Sequence, residues 1–284
     1  MTSRPRSTIS APPPPAPAPP VSAGQPRRFP EIDERLLLQS VSRALDVIEA
    51  YAAAPRPMSL GEIAEAAGIN KSAAQRIGQT LLSRGYLEQT EHGRLKLGRQ
   101  FLDRSFDYLR SNALIERATP VLIDLRKTTE ERVDLSLFDA DSDNLSIVYA
   151  ARMQSKRETF YATLPGRRQP TFASSGGRAC LALMSDAEIE DVLDRTRFEP
   201  LTPRTEIDRA RVREGIEAAR RAGYALMLEQ ALLGEIVIAA AIRDRAGRPV
   251  GAIHIAGSLS EWTEEAFSRR FAPLAMSAAA SLSG

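Results

Sequence analysis

The stretch from residue 58 to 96, MSLGEIAEAAGINKSAAQRIGQTLLSRGYLEQTEHGRLK, constrains the fold more than any other part of the chain. Ser59 with Glu62 three residues on is a capping box, which predicts a helix starting at about Leu60. Ile63, Ala64 and Ala67 give that helix a short apolar face, and Gly68 can take the left-handed conformation that ends it. Asn70 stands where the next helix needs an N-cap, with Ser72 and Gln75 as a second possible capping pair. Beyond it Ala73, Ala74, Ile77, Leu81 and Leu82 recur at three- and four-residue steps, the spacing of one buried face. Lys71, Ser72, Gln75, Arg76 and Gln79 fall on the opposite side. Gly85 closes this helix. Tyr86, Leu87, Leu95 and Leu97 then flank a turn at Glu91-His92-Gly93, so 86–97 reads as a hairpin with His92 and Arg94 near its tip.

Two short helices, a tight turn and a two-stranded wing make a winged helix-turn-helix. The second helix has a dry rear and a front of Lys, Ser, Gln and Arg, which suits the major groove of duplex DNA. Its N-terminal amides and dipole favour phosphate, and Arg and Gln can bond base edges. The expected DNA-facing residues are Asn70, Lys71, Ser72, Gln75, Arg76, His92 and Arg94. Arg43, on the preceding helix, is open to either a phosphate contact or an intra-domain salt bridge.

A formal net charge of +2 is too small to make the whole chain a nucleic-acid sponge. Affinity must come from a local patch, and 70–96 carries Lys71, Arg76, Arg84, Arg94 and Lys96 against Glu88 and Glu91. One cysteine, Cys180, excludes an internal disulfide framework and a cysteine-based metal site, and His92 and His254 are far apart in sequence. No metal or cofactor is therefore expected. No apolar run approaches the ~20 residues of a membrane span. The N-terminus has no apolar leader, so a cytoplasmic location is expected.

Taken in order, residues 1–33 form a proline-rich tail, with ten of the nineteen prolines before residue 31. Such a segment cannot bury enough apolar surface to order itself. Its role is either to solubilise the chain or to brush DNA through its arginines. A DNA-binding domain follows at 34–98, beginning with an amphipathic helix over 34–54 that carries Leu37, Leu38, Val41, Leu45 and Ile48 on one side. Residues 99–112 are a linker helix whose Phe101, Leu102, Phe106, Tyr108 and Leu109 must pack on something: a second copy, or their own domain.

From 113 to 284 helices alternate with strands. Helices are expected over 114–128, 176–184, 186–195, 208–222 and 261–282. Strands are expected over 132–138, 145–151, 235–243 and 249–257, with a further one at 158–164 and a turn at 139–144. EIVIAAAIR and PVGAIHIAG are apolar throughout, which argues for central strands covered on both faces. The sum is an α+β fold, an antiparallel sheet with helices against it.

The sequence resembles the IclR family of bacterial transcriptional regulators. The resemblance is carried by SVSRALDVIEA (40–50), LGEIAEAAGINKSAAQRIGQTLLSRGYLE (60–88) and GRLKLG (93–98). In the second half it is carried by GRRQPTFASSGGRACLAL (166–183), TPRTEIDRARVREGIEAARRAGYA (202–225) and GRPVGAIHIAGSLSEW (247–262). It implies a winged helix, a linker helix and a GAF-like C-terminal domain that binds a small effector. It also implies homodimers, commonly assembled into tetramers, on palindromic operators. Effector-contacting positions of relatives match Ser175, Gly176, Met227, Val237, His254 and Ala256 here.

Met227 and Val237 stand where relatives keep polar groups, while His254 adds one. A pocket altered in this way should be drier and favour an aromatic or amphipathic carboxylic acid. The SSGG turn at 174–177 offers amides and hydroxyls to the carboxylate, and His254 could donate to it. The alternative is that His254 is a satisfied core histidine and Met227 and Val237 are packing. Three functions compete: an effector-controlled regulator, a DNA-binding protein whose C-terminal domain is only a dimerisation scaffold, and an enzyme using Cys180 as nucleophile. The last needs a neighbouring base, and RACLALM offers none.

Overall fold

A computed structural model describes residues 34–53, 55–138, 143–155 and 165–284. The tail at 1–33, the strand expected at 158–164 and most of the turn at 139–144 lie outside the described residues.

The N-terminal half begins with a 3-10 turn, Glu34–Leu36, and helix α1, Gln39–Ala53. Helices α2 (Leu60–Ala66) and α3 (Lys71–Ser83) follow, then strands β1 (Leu87–Gln89) and β2 (Leu95–Leu97). The two strands pair antiparallel, and Met58 bridges to Leu95, so the chain just before α2 is stitched to the wing. The core of this half gathers Val47, Tyr51, Met58, Ile63, Ala74, Leu81, Leu87 and Leu95, and the Tyr51 hydroxyl donates to the Leu95 carbonyl at 3.0 Å.

The first helix departs from expectation. It is shorter than 34–54 and begins after Leu37 and Leu38; Leu38 is 70% exposed, and Leu37, Val41 and Leu45 are each about half exposed. Val47 and Tyr51, one helical turn apart, are its anchors instead. Helix α4 (Gln100–Ser111) likewise has no buried residue, with Leu102 at 71% and Phe106 at 62% exposure. It touches its surroundings through Phe101, edge-on to Tyr86, and through Leu109.

Beyond it run α5 (Ala113–Thr129), β3 (Arg132–Phe138), β4 (Ser146–Met153), β5 (Arg168–Pro170), α6 (Ser175–Leu181), α7 (Asp186–Arg195), α8 (Arg209–Ala222), β6 (Ala225–Leu228), β7 (Glu235–Arg243), β8 (Pro249–Ser258) and α9 (Glu264–Leu282). The strands form one antiparallel sheet in the order β5-β4-β3-β8-β7-β6. Ser185 and Asp208 cap α7 and α8 through their side chains, as their positions before apolar-periodic segments require.

Alternate residues serve opposite faces of the sheet. Val133, Leu135, Ile236, Ile238, Ile253 and Ile255 pack under α5 and α9 with Leu122, Phe267 and Phe271. Ala239 and Ala252 pack under α6, α7 and α8 with Cys180, Leu181, Val192 and Ile216. The apolar runs of β7 and β8 are thus covered on both sides, as their composition demands. The edge strands β5 and β6, of three and four residues, carry no period long enough to read from sequence.

Candidate nucleic-acid interface and effector pocket

The reading head is built locally. The Ser59 hydroxyl accepts from the Glu62 amide, and the Glu62 carboxylate accepts from the Ser59 amide, which closes the capping box of α2. Gly68, at φ +63, turns the chain towards α3. Asn70 Oδ1 accepts from the Ala73 amide at 2.8 Å and caps α3, so its side chain is committed to the cap. The second expected pair, Ser72 with Gln75, does not cap anything: both side chains are exposed on a helix that has already begun at Lys71.

Ala74, Gly78 and Leu81 form the buried rear of α3. Lys71, Ser72, Gln75, Arg76 and Gln79 are exposed on the front. Among the described residues none of these side chains makes a hydrogen bond or ion pair, so their donors face outward unspent. At the wing tip His92 is exposed, and the Thr90 carbonyl accepts from the Gly93 amide to close the turn. Arg43 is exposed on α1 and forms no ion pair among the described residues, so the intra-domain salt bridge is not made. Arg94 does not reach away from the protein as expected: its guanidinium folds back, with Nη2 on Glu62 and Nε on the Pro57 carbonyl.

The second site lies at the start of α6. A pocket of about 280 Å3, counting the part open to solvent, is lined by Tyr149, Gln169, Ser174, Ser175, Met227, Glu229, Glu235 and Val237 among others. Ser175, Met227 and Val237 therefore line one pocket. Gly176, His254 and Ala256 do not line it. Ala256 is buried in the ladder opposite Val237. His254, fully buried, sits behind the wall with Nε2 2.8 Å from Ser136 Oγ and Nδ1 3.4 Å from Ser175 Oγ. Gly176 is pressed so close that a Cβ there would stand 2.4 Å from His254 Cε1.

The pocket has an apolar and a polar side. Met227 and Val237 are apolar, but the Tyr149 hydroxyl donates to Gln169 at 2.9 Å, and both border the pocket with Glu229 and Glu235. Behind them is a buried charge cluster. Arg152 Nε donates to Asp134 at 2.7 Å, Arg132 Nε donates to Asp134 at 3.0 Å, and Arg132 also holds Glu235. Burial pushes the Asp134 carboxyl up, but the two guanidiniums override it and hold it below the usual carboxylate value. Sequence inspection missed these residues because they arrive from β3, β4, β5 and β7, and only register brings them together.

The pocket wall at 229–231 is fastened to the loop before α8. The Thr205 hydroxyl donates to the Gln230 carbonyl at 2.7 Å, and Gln230 Oε1 accepts from the Glu206 amide at 2.7 Å.

Burial holds the His254 imidazole at about 4, against an opposing pull from Asp134, so the ring is neutral at pH 7. The unfolded chain takes up that proton near 6.5 while the folded one refuses it until about 4, so stability is full above pH 6.5 and falls as pH drops. The loss attributable to this one group reaches about 3 kcal/mol near pH 4. Urea unfolding at several pH values, wild type against His254→Gln, should show a steeper acid loss in the wild type; parallel curves would refute it.

Cys180 is fully buried, its thiol donates to the Gly251 carbonyl at 3.3 Å, and burial raises its pKa. A protonated, enclosed sulfur is no nucleophile. Among the described residues there is no group of three or more His, Cys, Asp or Glu able to hold a metal, and no helix long and apolar enough to cross a membrane.

Comparison with known proteins decides what this arrangement belongs to. Residues 40–91 match the IclR helix-turn-helix domain, and residues 106–284 match the family described as bacterial transcriptional regulator IclR C-terminal. The chain belongs to the IclR family of transcriptional regulators. This IclR-type chain is 28% identical over 229 residues to the transcriptional repressor IclR of Escherichia coli K12, covering 80% of this chain and 83% of that one. It is 27% identical to the p-hydroxybenzoate hydroxylase transcriptional activator of Acinetobacter baylyi, covering 79% of this chain and 83% of the relative. The crystal structure of a transcriptional regulator from Rhodococcus sp. RHA1 superposes with a TM-score of 0.74 at 28% identity, covering 87% of this chain and 97% of that one. These relatives are regulators, not enzymes, and the family assigns this chain a DNA-binding N-terminal half and a ligand-binding C-terminal half.

Proposed function

We infer that this IclR-family regulator seats α3 in the major groove of a palindromic operator as a homodimer, or as a dimer of dimers, in the cytoplasm. A small molecule bound beside α6 adjusts that grip. The observation that carries the reading is the outward face of Lys71, Gln75 and Arg76, polar, cationic and without protein partners among the described residues. Dimerisation is supported by the uncovered Leu37 and Leu38 just before α1, by Val41 and Leu45 within it, and by the exposed Leu102, Phe106 and Tyr108 of α4, which water does not favour. The division into 34–98, 99–112 and 113–284 follows from the same reading.

The effector we infer is an aromatic or amphipathic carboxylic acid. Met227, Val237 and the Tyr149 ring supply an apolar side, while Ser175 and Gln169 supply hydrogen-bonding groups. The relative named for p-hydroxybenzoate hydroxylase is in keeping with an aromatic acid. A coupling of about 1–3 kcal/mol between pocket and reading head changes operator affinity about five- to 150-fold. Calorimetric titration with aromatic and with short, highly polar acids tests this, followed by thermal unfolding of each complex. Aromatic acids should bind and raise the melting temperature; binding by the polar acids alone overturns the ligand class. The reading of the C-terminal half as a mere dimerisation scaffold is favoured by one feature, the filling of the pocket's rear by His254 against Gly176. Failure of every acid to bind would support it.

A further inference from the structure

Arg56, Glu62 and Arg94 form a cluster that the DNA-reading helix does not use. Arg56 precedes α2, and its Nη1 donates to Glu62 Oε1 at 2.8 Å and to the Pro57 carbonyl at 3.3 Å. Arg94, from the wing, donates through Nη2 to Glu62 Oε2 and through Nε to the same Pro57 carbonyl at 3.1 Å. Two guanidiniums thus share one carboxylate and one carbonyl, although they stand far apart in the chain. Glu62 also accepts from the Ser59 amide, so its position is fixed by the first turn of α2. Those hydrogen bonds hold its pKa down at about 2, so it is ionised at every working pH.

The charge does not close. Two cations against one anion leave one positive charge at the root of the wing. Arg56 and Arg94 are 56% and 41% exposed. Among the described residues, Nε and Nη2 of Arg56 and Nη1 of Arg94 meet no acceptor. A pure ion pair would satisfy itself; this arrangement keeps N–H donors in reserve. The leading helix of a helix-turn-helix crosses the nucleic-acid backbone while its successor enters the groove. Planar guanidiniums bond phosphate oxygens in a fork that a lysine cannot reproduce.

We propose that Arg56 and Arg94, gathered by Glu62, form a preset clamp on one backbone phosphate of the bound duplex, with Glu62 as the positioning residue. The clamp rests on the DNA-binding reading and adds a sequence-independent contact to it. It fixes the helix pair in register on the backbone and contributes no base preference.

The test uses the full chain and a fluorescent random-sequence duplex, with binding followed by anisotropy over a range of salt concentrations. Arg56→Ala and Arg94→Ala should each weaken binding about three- to tenfold, and the double variant should flatten the slope of log K against log salt by about one. Because both side chains grip the same phosphate, the double variant should lose less than the product of the single losses. Glu62→Gln keeps the capping box, since glutamine serves at that position. In that background the two arginine losses should become independent. Loss of thermal stability in the double variant with an unchanged salt slope would overturn the clamp and leave the cluster as a brace for the wing. Purely multiplicative losses in the wild-type background would overturn the shared phosphate. Failure of the unaltered chain to bind any duplex would instead remove the DNA-binding reading itself.

Discussion

Arg76→Ala weakens binding to a duplex from the regulator's own promoter region by about five- to 150-fold, the ~1–3 kcal/mol expected when a side chain reading a base edge is removed. The same variant loses far less on random-sequence DNA. Arg76 is exposed mid-way along α3 with no ion pair among the described residues, so truncating it removes no internal support and the fold stays intact. Gln75→Ala behaves alike, since an amide can bond an adenine edge in two places. Competition binding with both duplexes for wild type and each variant measures the difference. Equal losses on both DNAs would mean that α3 meets only phosphate.

Gly176→Ala destabilises the C-terminal half. The added methyl would lie 2.4 Å from His254 Cε1 and 2.5 Å from Nε2, well inside contact, and 3.1 Å from Ser136 Oγ. The imidazole has nowhere to retreat, because it is fully buried and held by Ser136 and Ser175 on its two nitrogens. Overpacking of this kind costs about 1–3 kcal/mol, which lowers the melting temperature by several degrees for a domain of this size. His254→Ala alone leaves a cavity and strips partners from two serines. Combined, the changes should cost less than their sum, because the methyl then occupies the space the ring gave up. Additive costs in a double-mutant cycle of thermal unfolding would show that Gly176 answers to some other neighbour.

What could be read from the sequence was local. The box at Ser59 and Glu62, the cap at Asn70 and the buried rear of α3 are signals spanning three or four residues, and each is realised. The long apolar strands β7 and β8 were equally legible, because only a sheet covered on both faces tolerates such runs. The errors have one cause. An apolar stripe states that something must cover it, never what: Leu37, Leu38, Val41 and Leu45 are half exposed or more in the single chain. The pairing of Arg94 with Glu62 spans 32 residues, and no short window of sequence contains it. The pocket's polar side depends on register across four strands, and no window of sequence contains it. Glycines 176 and 177 looked like an anion cradle, yet at the first of them the missing side chain makes room for a histidine.

The uncovered side chains of Leu38, Val41 and Leu45 bear on how the reading head survives dilution. Its core is small, resting on Val47, Tyr51, Ile63, Leu81 and a few neighbours, and a body of that size is marginal on its own. Whatever shields Leu38, Val41 and Leu45 therefore adds to the solidity of the whole N-terminal half as well as to its symmetry. In the proposed homodimer, where a second copy covers those side chains, dilution would loosen the groove-reading helix before the six-stranded sheet, so scarcity alone would silence the regulator with its sensory half still folded.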